Sequence, residues 1–250
     1  MRPPVWLWLN LLSLDAPIVA LVWQNFLARI YPVALYPAGR CALGLTVWAI
    51  YLADRLLDVR DSAPDAETPR HNFYRRHRRF AWILLATVLC ADLLVTFLWL
   101  RPAVFANGLL VAAGVIVYLG LFPLGRIRGV WKQPAAAILF TIGVFLVAWT
   151  GTARPVQTLG WPAAAFCALC FANLVIIENW ERNRRIKRRA GMWLSLLAVA
   201  CIAAGHSRWY FAVAASAAGL AALILPGENI SRDARRVLAD AVLLIPLLIP

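Results

Sequence analysis

The sequence predicts an all-α fold: a polytopic bundle of eight to nine membrane-crossing helices. Three observations predict it. Hydrophobic residues make up 62% of the 250 positions and charged ones only 15%, a balance that water-soluble domains do not show. Apolar runs long enough to cross a bilayer recur along the whole chain. The cations collect between those runs, in every second loop, as they do around inserted helices. Residues 1–250 read as a single integral membrane domain.

Val5 to Leu14 is apolar but is interrupted by Asp15 and Pro17, and reads as an interfacial lead-in. It does not read as a cleaved signal peptide, because the apolar character continues past Pro17 with no small-residue cleavage site. The first span runs from about Pro17 to Ala28. After a break at Arg29 and Tyr31-Pro32, the second runs from about Val33 or Cys41 to Leu57 and ends in an acidic stretch. A charged loop follows, Ser62 to Arg79. The third span, Phe80 to Leu100, and the fourth, Ala103 to Leu121, are separated only by Arg101-Pro102. Gly125 to Lys132 is a basic loop. The fifth span is Pro134 to Gly151 and the sixth Trp161 to Ile177, joined by the mild loop Thr152 to Gly160. Glu178 to Arg189 is the most charged loop. The seventh span is Met192 to Ala204 and the eighth Trp209 to Leu225. A loop from Gly227 to Arg236 leads to Val237–Pro250, a short apolar run that is a candidate ninth span.

With the acidic stretch placed in the cytoplasm and the sides alternating, 20 of the 25 Lys and Arg fall on the cytoplasmic side. Arg29, Arg40, Arg101, Arg154 and Arg208 fall outside. This puts the N-terminus in the cytoplasm. Trp99, Trp131, Trp149, Trp161, Trp180, Trp193 and Trp209 lie near span ends, where interfacial belts are expected. The net charge of +13 is therefore assigned to topology and membrane lipids, and no nucleic acid is expected as a partner. The five Cys sit inside apolar runs without disulfide or zinc spacing; Cys167 and Cys170 read as small packing residues. The inner-membrane-like topology, with no organelle-targeting segment in view, leads us to expect a bacterial cytoplasmic membrane.

Chemistry concentrates after the second span, in Tyr51-Leu52-Ala53-Asp54-Arg55-Leu56-Leu57-Asp58-Val59-Arg60-Asp61. Spacings of four and three put Asp54, Asp58 and Asp61 on one helix face. Stacked like charges repel by a few tenths of a kcal/mol per pair, and Arg55, Arg60 or a divalent cation would offset that. Mg²⁺ suits such a set, as a hard ion that bridges carboxylates to phosphate oxygens. The alternative is plain: any helix leaving a membrane becomes charged. Two further groups share the same side. Glu178 and Glu181 follow the sixth span, and Arg126, Arg128 and Lys132 lie between the fourth and fifth. Together they suit a diphosphate held through Mg²⁺ with cations completing the neutralisation.

The chain resembles the UbiA superfamily of intramembrane prenyltransferases. Leu14-Asp15-Ala16-Pro17-Ile18 resembles the start of that family's first helix. Ala53-Asp54-Arg55-Leu56-Leu57-Asp58 resembles the latter part of its first motif, Asn-Asp-x-x-Asp-x-x-x-Asp, with Asp54 and Asp58 as the final pair. Tyr118 to Arg126, with Lys132-Gln-Pro134, resembles its Tyr…Lys-Arg…Pro stretch. Asn173 and Glu178-Asn-Trp-Glu181-Arg182 stand where the second motif belongs. Departures mark a divergent member. Ile50-Tyr51 replaces Asn-Asp, Asp61 is an extra carboxylate, and the second motif uses Glu at a spacing of three.

The resemblance implies a UbiA-like fold and Mg²⁺-dependent transfer of a prenyl group from a polyprenyl diphosphate to a lipophilic acceptor. It implies Asp54, Asp58, Glu178 and Glu181 as metal ligands, with Asp61 beside them in the catalytic set. Arg126, Arg128, Lys132 and Asn173 would contact substrate. Three alternatives stand beside it: a non-catalytic relative that binds a lipid or partner, a terpene cyclase of the same fold, and a transporter. Charge gathered at one membrane face argues against the transporter.

Other polar residues have structural readings. Asp15 reads as a helix-start cap. Asp92, midway along the third span, either pairs with another helix or lines a cavity. Asn107 and Asn173 read as interhelical hydrogen-bonders. His71 and His77 read as solvated or phosphate-facing. The Arg184–Arg189 run reads as a topology determinant, and Asn229-Ile-Ser231 as a sequon on the wrong side to be used.

Overall fold

The computed structural model describes residues 7–61, 69–122, 131–181, 188–204, 207–224 and 230–250. Of residues 58–61, 69–71, 181, 188, 189 and 232 only the backbone is described. The elements are α1 (Trp8–Leu11), α2 (Asp15–Ile30), α3 (Pro37–Asp61), α4 (Pro69–Arg76), α5 (Arg78–Trp99) and α6 (Pro102–Leu121). They continue with α7 (Lys132–Gly151), α8 (Pro155–Glu181), α9 (Arg188–Ala204), α10 (Arg208–Ile224) and α11 (Arg232–Val242), then a 3-10 turn, Ile245–Leu248. The described residues form no strand. Four helices are long and apolar enough to cross a membrane: α5, α6, α7 and α8. They mark the chain as an integral membrane protein. α9 and α10 are apolar but shorter. α3 has 25 residues, with charge confined to Arg40 near its start and to its end from Asp54 onward.

The chain forms two compact units. The first holds Met1–Leu21 and Leu35–Ala135, the second Val22–Ala34 and Ala136–Pro250.

In the first unit α3 packs on α5. Leu45, Ala49, Leu52 and Leu56 recur at helical spacing and meet Ala81, Leu85 and Val88, which recur likewise. One polar tie crosses this apolar contact: Thr46 Oγ1 donates to Asp92 Oδ2 at 2.7 Å. Asp92 thus pairs with another helix. The stretch expected as a charged loop contains α4, whose Tyr74 is buried in the same core. Its phenol pairs at 2.9 Å with the hydroxyl of Ser13, which turns the chain from α1 into α2 at a left-handed φ of 55°. Ser13, at the end of the lead-in, is thus tied to the core, while Trp8 and Leu9 stay exposed. Asp15 opens α2, but it does not cap the helix as expected: Asn10 donates to its Oδ2 at 2.8 Å and its buried Oδ1 accepts no hydrogen bond.

In the second unit α8 supplies the spine. Leu159, Pro162, Phe166, Leu169, Asn173, Ile176 and Trp180 alternate at three and four residues, and all are buried. Such a seam faces its neighbours along its whole length. Phe166 meets Trp23 (ring centroids 4.7 Å apart), Phe145 and Trp209. Trp209 and Trp180 are thus core residues, whereas Trp99, Trp131, Trp149, Trp161 and Trp193 are exposed as belt residues should be. The fully buried indoles of Trp23 and Trp209 find acceptors: Trp23 Nε1 donates to the Leu243 carbonyl at 2.8 Å, and Trp209 Nε1 to that of Pro162 at 3.1 Å.

The last apolar run is broken. α11 has 11 residues, about 16 Å of helix, half a bilayer core. It ends at Val242, with Leu243 as its C-cap, and Pro246 lies in the first turn of the 3-10 segment. A break in an apolar bundle frees carbonyls that need donors. Trp23 takes that of Leu243, and Ser216 Oγ lies 3.4 Å from that of Val242. α11 approaches α10 at Gly219, where an added Cβ would lie 2.7 Å from Val242 Cγ1. Val is stiff about χ1, so the methyl cannot swing away. Gly219→Ala should cost about 1–3 kcal/mol, and Val242→Ala in the same chain should recover most of it. Thermal unfolding of the single and double variants in detergent measures both.

Tyr31 follows α2 in this unit. Burial, and then the neighbouring phenol of Tyr210, push its pKa up to about 12. In the unfolded chain it ionises near its ordinary value of 10.0. The raised value therefore favours the fold fully below pH 10, and that advantage drains away between pH 10 and 12. Tyr31→Phe should leave stability at pH 9 nearly unchanged and flatten its fall toward pH 12, as read from unfolding midpoints across that range.

Candidate functional site

The acidic face of α3 is set by its packing. Asp54, Asp58 and Asp61 fall about 180° around the helix from the Leu45–Leu56 stripe that meets α5. The stripe fixes the helix's rotation, and Asp54 takes the opposite side. All three residues also sit toward the helix C-terminus, where the macrodipole disfavours negative charge by roughly 0.3–1 kcal/mol each. A cation is needed there.

For Asp54 that cation is Lys132. The ammonium lies 3.3 Å from Oδ1, with the Asp54 side chain 16% exposed and that of Lys132 30%. The geometry is an ion pair without a hydrogen bond to Oδ1, which is buried and accepts none. Lys132 is the first residue of α7, an end where the dipole disfavours a cation. Two charges misplaced on their own helices relieve each other. Arg55 reaches back over the Tyr51 ring at 5.9 Å.

Asp58 and Asp61 lie on α3 at the register expected, but their side chains fall outside the described residues, as do Arg126 and Arg128 entirely. Arg184 to Lys187 and Asn229 also lie outside, together with the side chains of His71, Arg188 and Arg189. His77 is exposed and packs on Phe73 at 5.0 Å.

The second acidic patch belongs to the second unit. Glu178 is part-buried on the last turns of α8, and Glu181 ends that helix with its side chain outside the described residues. These carboxylates too sit at a C-terminal end. Asn173, one polar position in the buried seam of α8, is 6% exposed and donates from Nδ2 to Asp240 Oδ1 at 3.3 Å. Its Oδ1 is buried and accepts no hydrogen bond. Asp240 on α11 was not singled out from the sequence. Its signal was present: a carboxylate three residues into the last apolar run. Close by in sequence, buried Arg236 lies 3.7 Å from Asp233. Asn107 differs from expectation. Its amide bonds back to the Ala103 carbonyl at 2.9 Å, within its own helix.

No group of three or more potential ligands that would hold a metal forms among the described residues. Three buried carboxylate oxygens among them accept no hydrogen bond, Asp15 Oδ1, Asp54 Oδ1 and Asp92 Oδ1, and that of Asp54 has the Lys132 ammonium beside it. A hard cation fits that oxygen by charge and by ligand type. The five cysteines are free thiols. Comparison with protein-family models, curated proteins and solved structures finds no match to this chain.

Proposed function

We propose that this chain is a divergent member of the UbiA superfamily, an intramembrane prenyltransferase that moves a prenyl group from a polyprenyl diphosphate to a lipophilic acceptor. The Asp54–Lys132 pair carries the reading. The resemblance implies Asp54 as a metal ligand and Lys132 as a diphosphate contact, and the two side chains meet at 3.3 Å. Support also comes from the acidic ends of α3 and α8, which gather anions where each helix disfavours them. Arrangements that cost stability mark functional sites.

In this reading Asp54 and Asp58 hold a Mg²⁺, with Asp61 next to them, and Glu178 and Glu181 are assigned to a second. Bound there, Mg²⁺ would stabilise the charge that develops on the departing diphosphate. Lys132, with Arg126 and Arg128, supplies the remaining positive charge. Asn173 is assigned to substrate contact, oriented by Asp240. The C–O bond breaks with its electron pair leaving on the diphosphate, the acceptor's electron pair forms the new bond to the allylic carbon, and the acceptor's proton passes to the released diphosphate. Apolar helix walls keep water from that cation. The reading carries the sidedness with it: a bacterial cytoplasmic membrane, eight or nine spans, and the N-terminus and acidic ends in the cytoplasm.

The test is binding of a polyprenyl diphosphate to purified protein in detergent, with and without Mg²⁺. Wild-type binding should need the metal, and Asp54→Asn/Asp58→Asn should weaken it at least about tenfold. Binding indifferent to both would mean that the fold serves a non-catalytic lipid-binding role instead.

A further inference from the structure

We propose that α6 pairs with the α6 of a second copy of this chain, through a seam that carries Asn107. α6 has 20 residues, about 30 Å of helix, the thickness of a bilayer core. Asn107 stands five residues past Pro102, about 8 Å in from that end, where no water offers hydrogen bonds. One amide N–H returns to the Ala103 carbonyl at 2.9 Å. The side chain is nonetheless exposed, and its oxygen and second N–H have no partner among the described residues. A polar group turned toward lipid in this way is costly, and its own unit leaves that cost in place.

The surroundings of Asn107 suit a facing helix. Ala103, Asn107, Leu110, Gly114, Val117 and Leu121 recur at spacings of four and three, the repeat by which two helices interlock. All are exposed except Gly114, which is half-buried. Ala103 and Gly114 are small enough for a second backbone to come close. The buried residues of α6, Val104, Val115 and Tyr118, lie about 90° around the helix from this seam, so packing inside the chain leaves the seam unused. Only 17% of the apolar stretch of α6 is buried, against 33% in α7 and α8.

The amide says what covers the seam. Copies of one chain enter the membrane with the same sidedness, so two α6 helices run parallel and bring their Asn107 side chains to the same depth. A carboxamide is its own complement. Each oxygen accepts from the other's free N–H, around a two-fold axis along the membrane normal. A single Asn in such a seam fixes the register and the number of helices that join. The bond between helices that Asn107 does not make within the chain is thus made between chains.

The experiment follows resonance energy transfer between full chains labelled at the N-terminus, reconstituted in phosphatidylcholine vesicles and diluted with lipid. Wild type should associate reversibly as a dimer. Asn107→Leu should weaken that association about threefold to twentyfold, and Asn107→Gln should keep most of it. Ile116→Ala, exposed on the same helix but off the seam, should leave it unchanged. Val117→Trp, in the seam and also exposed, should hold the helices apart and weaken the dimer; it decides the matter if Asn107→Leu lowers the unfolding midpoint. Wild type that shows only the transfer of random mixing would overturn the proposal and leave the face to a different membrane protein. A dimer indifferent to Asn107→Leu and Val117→Trp, or weakened as much by Ile116→Ala, would overturn it by placing the contact elsewhere. None of these outcomes depends on the prenyl-transfer reading.

Discussion

A polar group carried into an apolar helical bundle has no water to turn to, so it must find its partner inside the protein. That constraint runs through both units. It ties α3 to α5 through Thr46 and Asp92, and α8 to α11 through Asn173 and Asp240. It brings Trp23 to the carbonyl freed where the last segment breaks. Apolar packing alone would let helices slide and rotate against one another, since their surfaces are much alike. The few polar matches fix which residue faces which. At Asp54 the same constraint acts, but the partner is a full charge, the Lys132 ammonium, and not a dipole.

The acidic end of α3 joins fold to chemistry. The stripe from Leu45 to Leu56 is buried against α5, and its placement dictates where Asp54 and its neighbours stand. Changing the stripe would rotate the carboxylates as surely as mutating them would remove them. The compensation by Lys132 comes from a residue 78 positions later in the chain, so the pair exists only in the folded unit. Neither partner is well placed by its own helix. Stability is given up locally at a spot where an anion and a cation are both wanted.

Much of the helical layout was legible in the sequence because bilayer-length apolar runs leave little choice of structure. The third to sixth expected spans agree with α5 to α8 to within a few residues, apart from the earlier start of α8 at Pro155. What the runs do not encode is tertiary exchange. α4 was hidden because Pro69–Arg76 is charged, and its helix depends on Tyr74 reaching the core and Ser13. The break after α11 was hidden because its leucines look like a span, while the donors that permit it, Trp23 and Ser216, lie far off in sequence. Trp180 and Trp209 looked like belt residues by position, yet the α8 seam and the Trp23 cluster bury them. Of the site, the residue types and helix register at Asp54, Asp58 and Asp61 were legible. The choice of Lys132 as the ammonium that meets Asp54, and of Asp240 as the partner of Asn173, was not.

The central claim is that Asp54 belongs to a metal–diphosphate site in the membrane protein. Electron paramagnetic resonance of Mn²⁺ with inorganic diphosphate and purified protein tests it most directly. The account predicts a protein-bound Mn²⁺ spectrum carrying phosphorus-31 coupling, lost in Asp54→Asn. A spectrum that matches Mn²⁺-diphosphate free in solution, with wild type and variant alike, would contradict it.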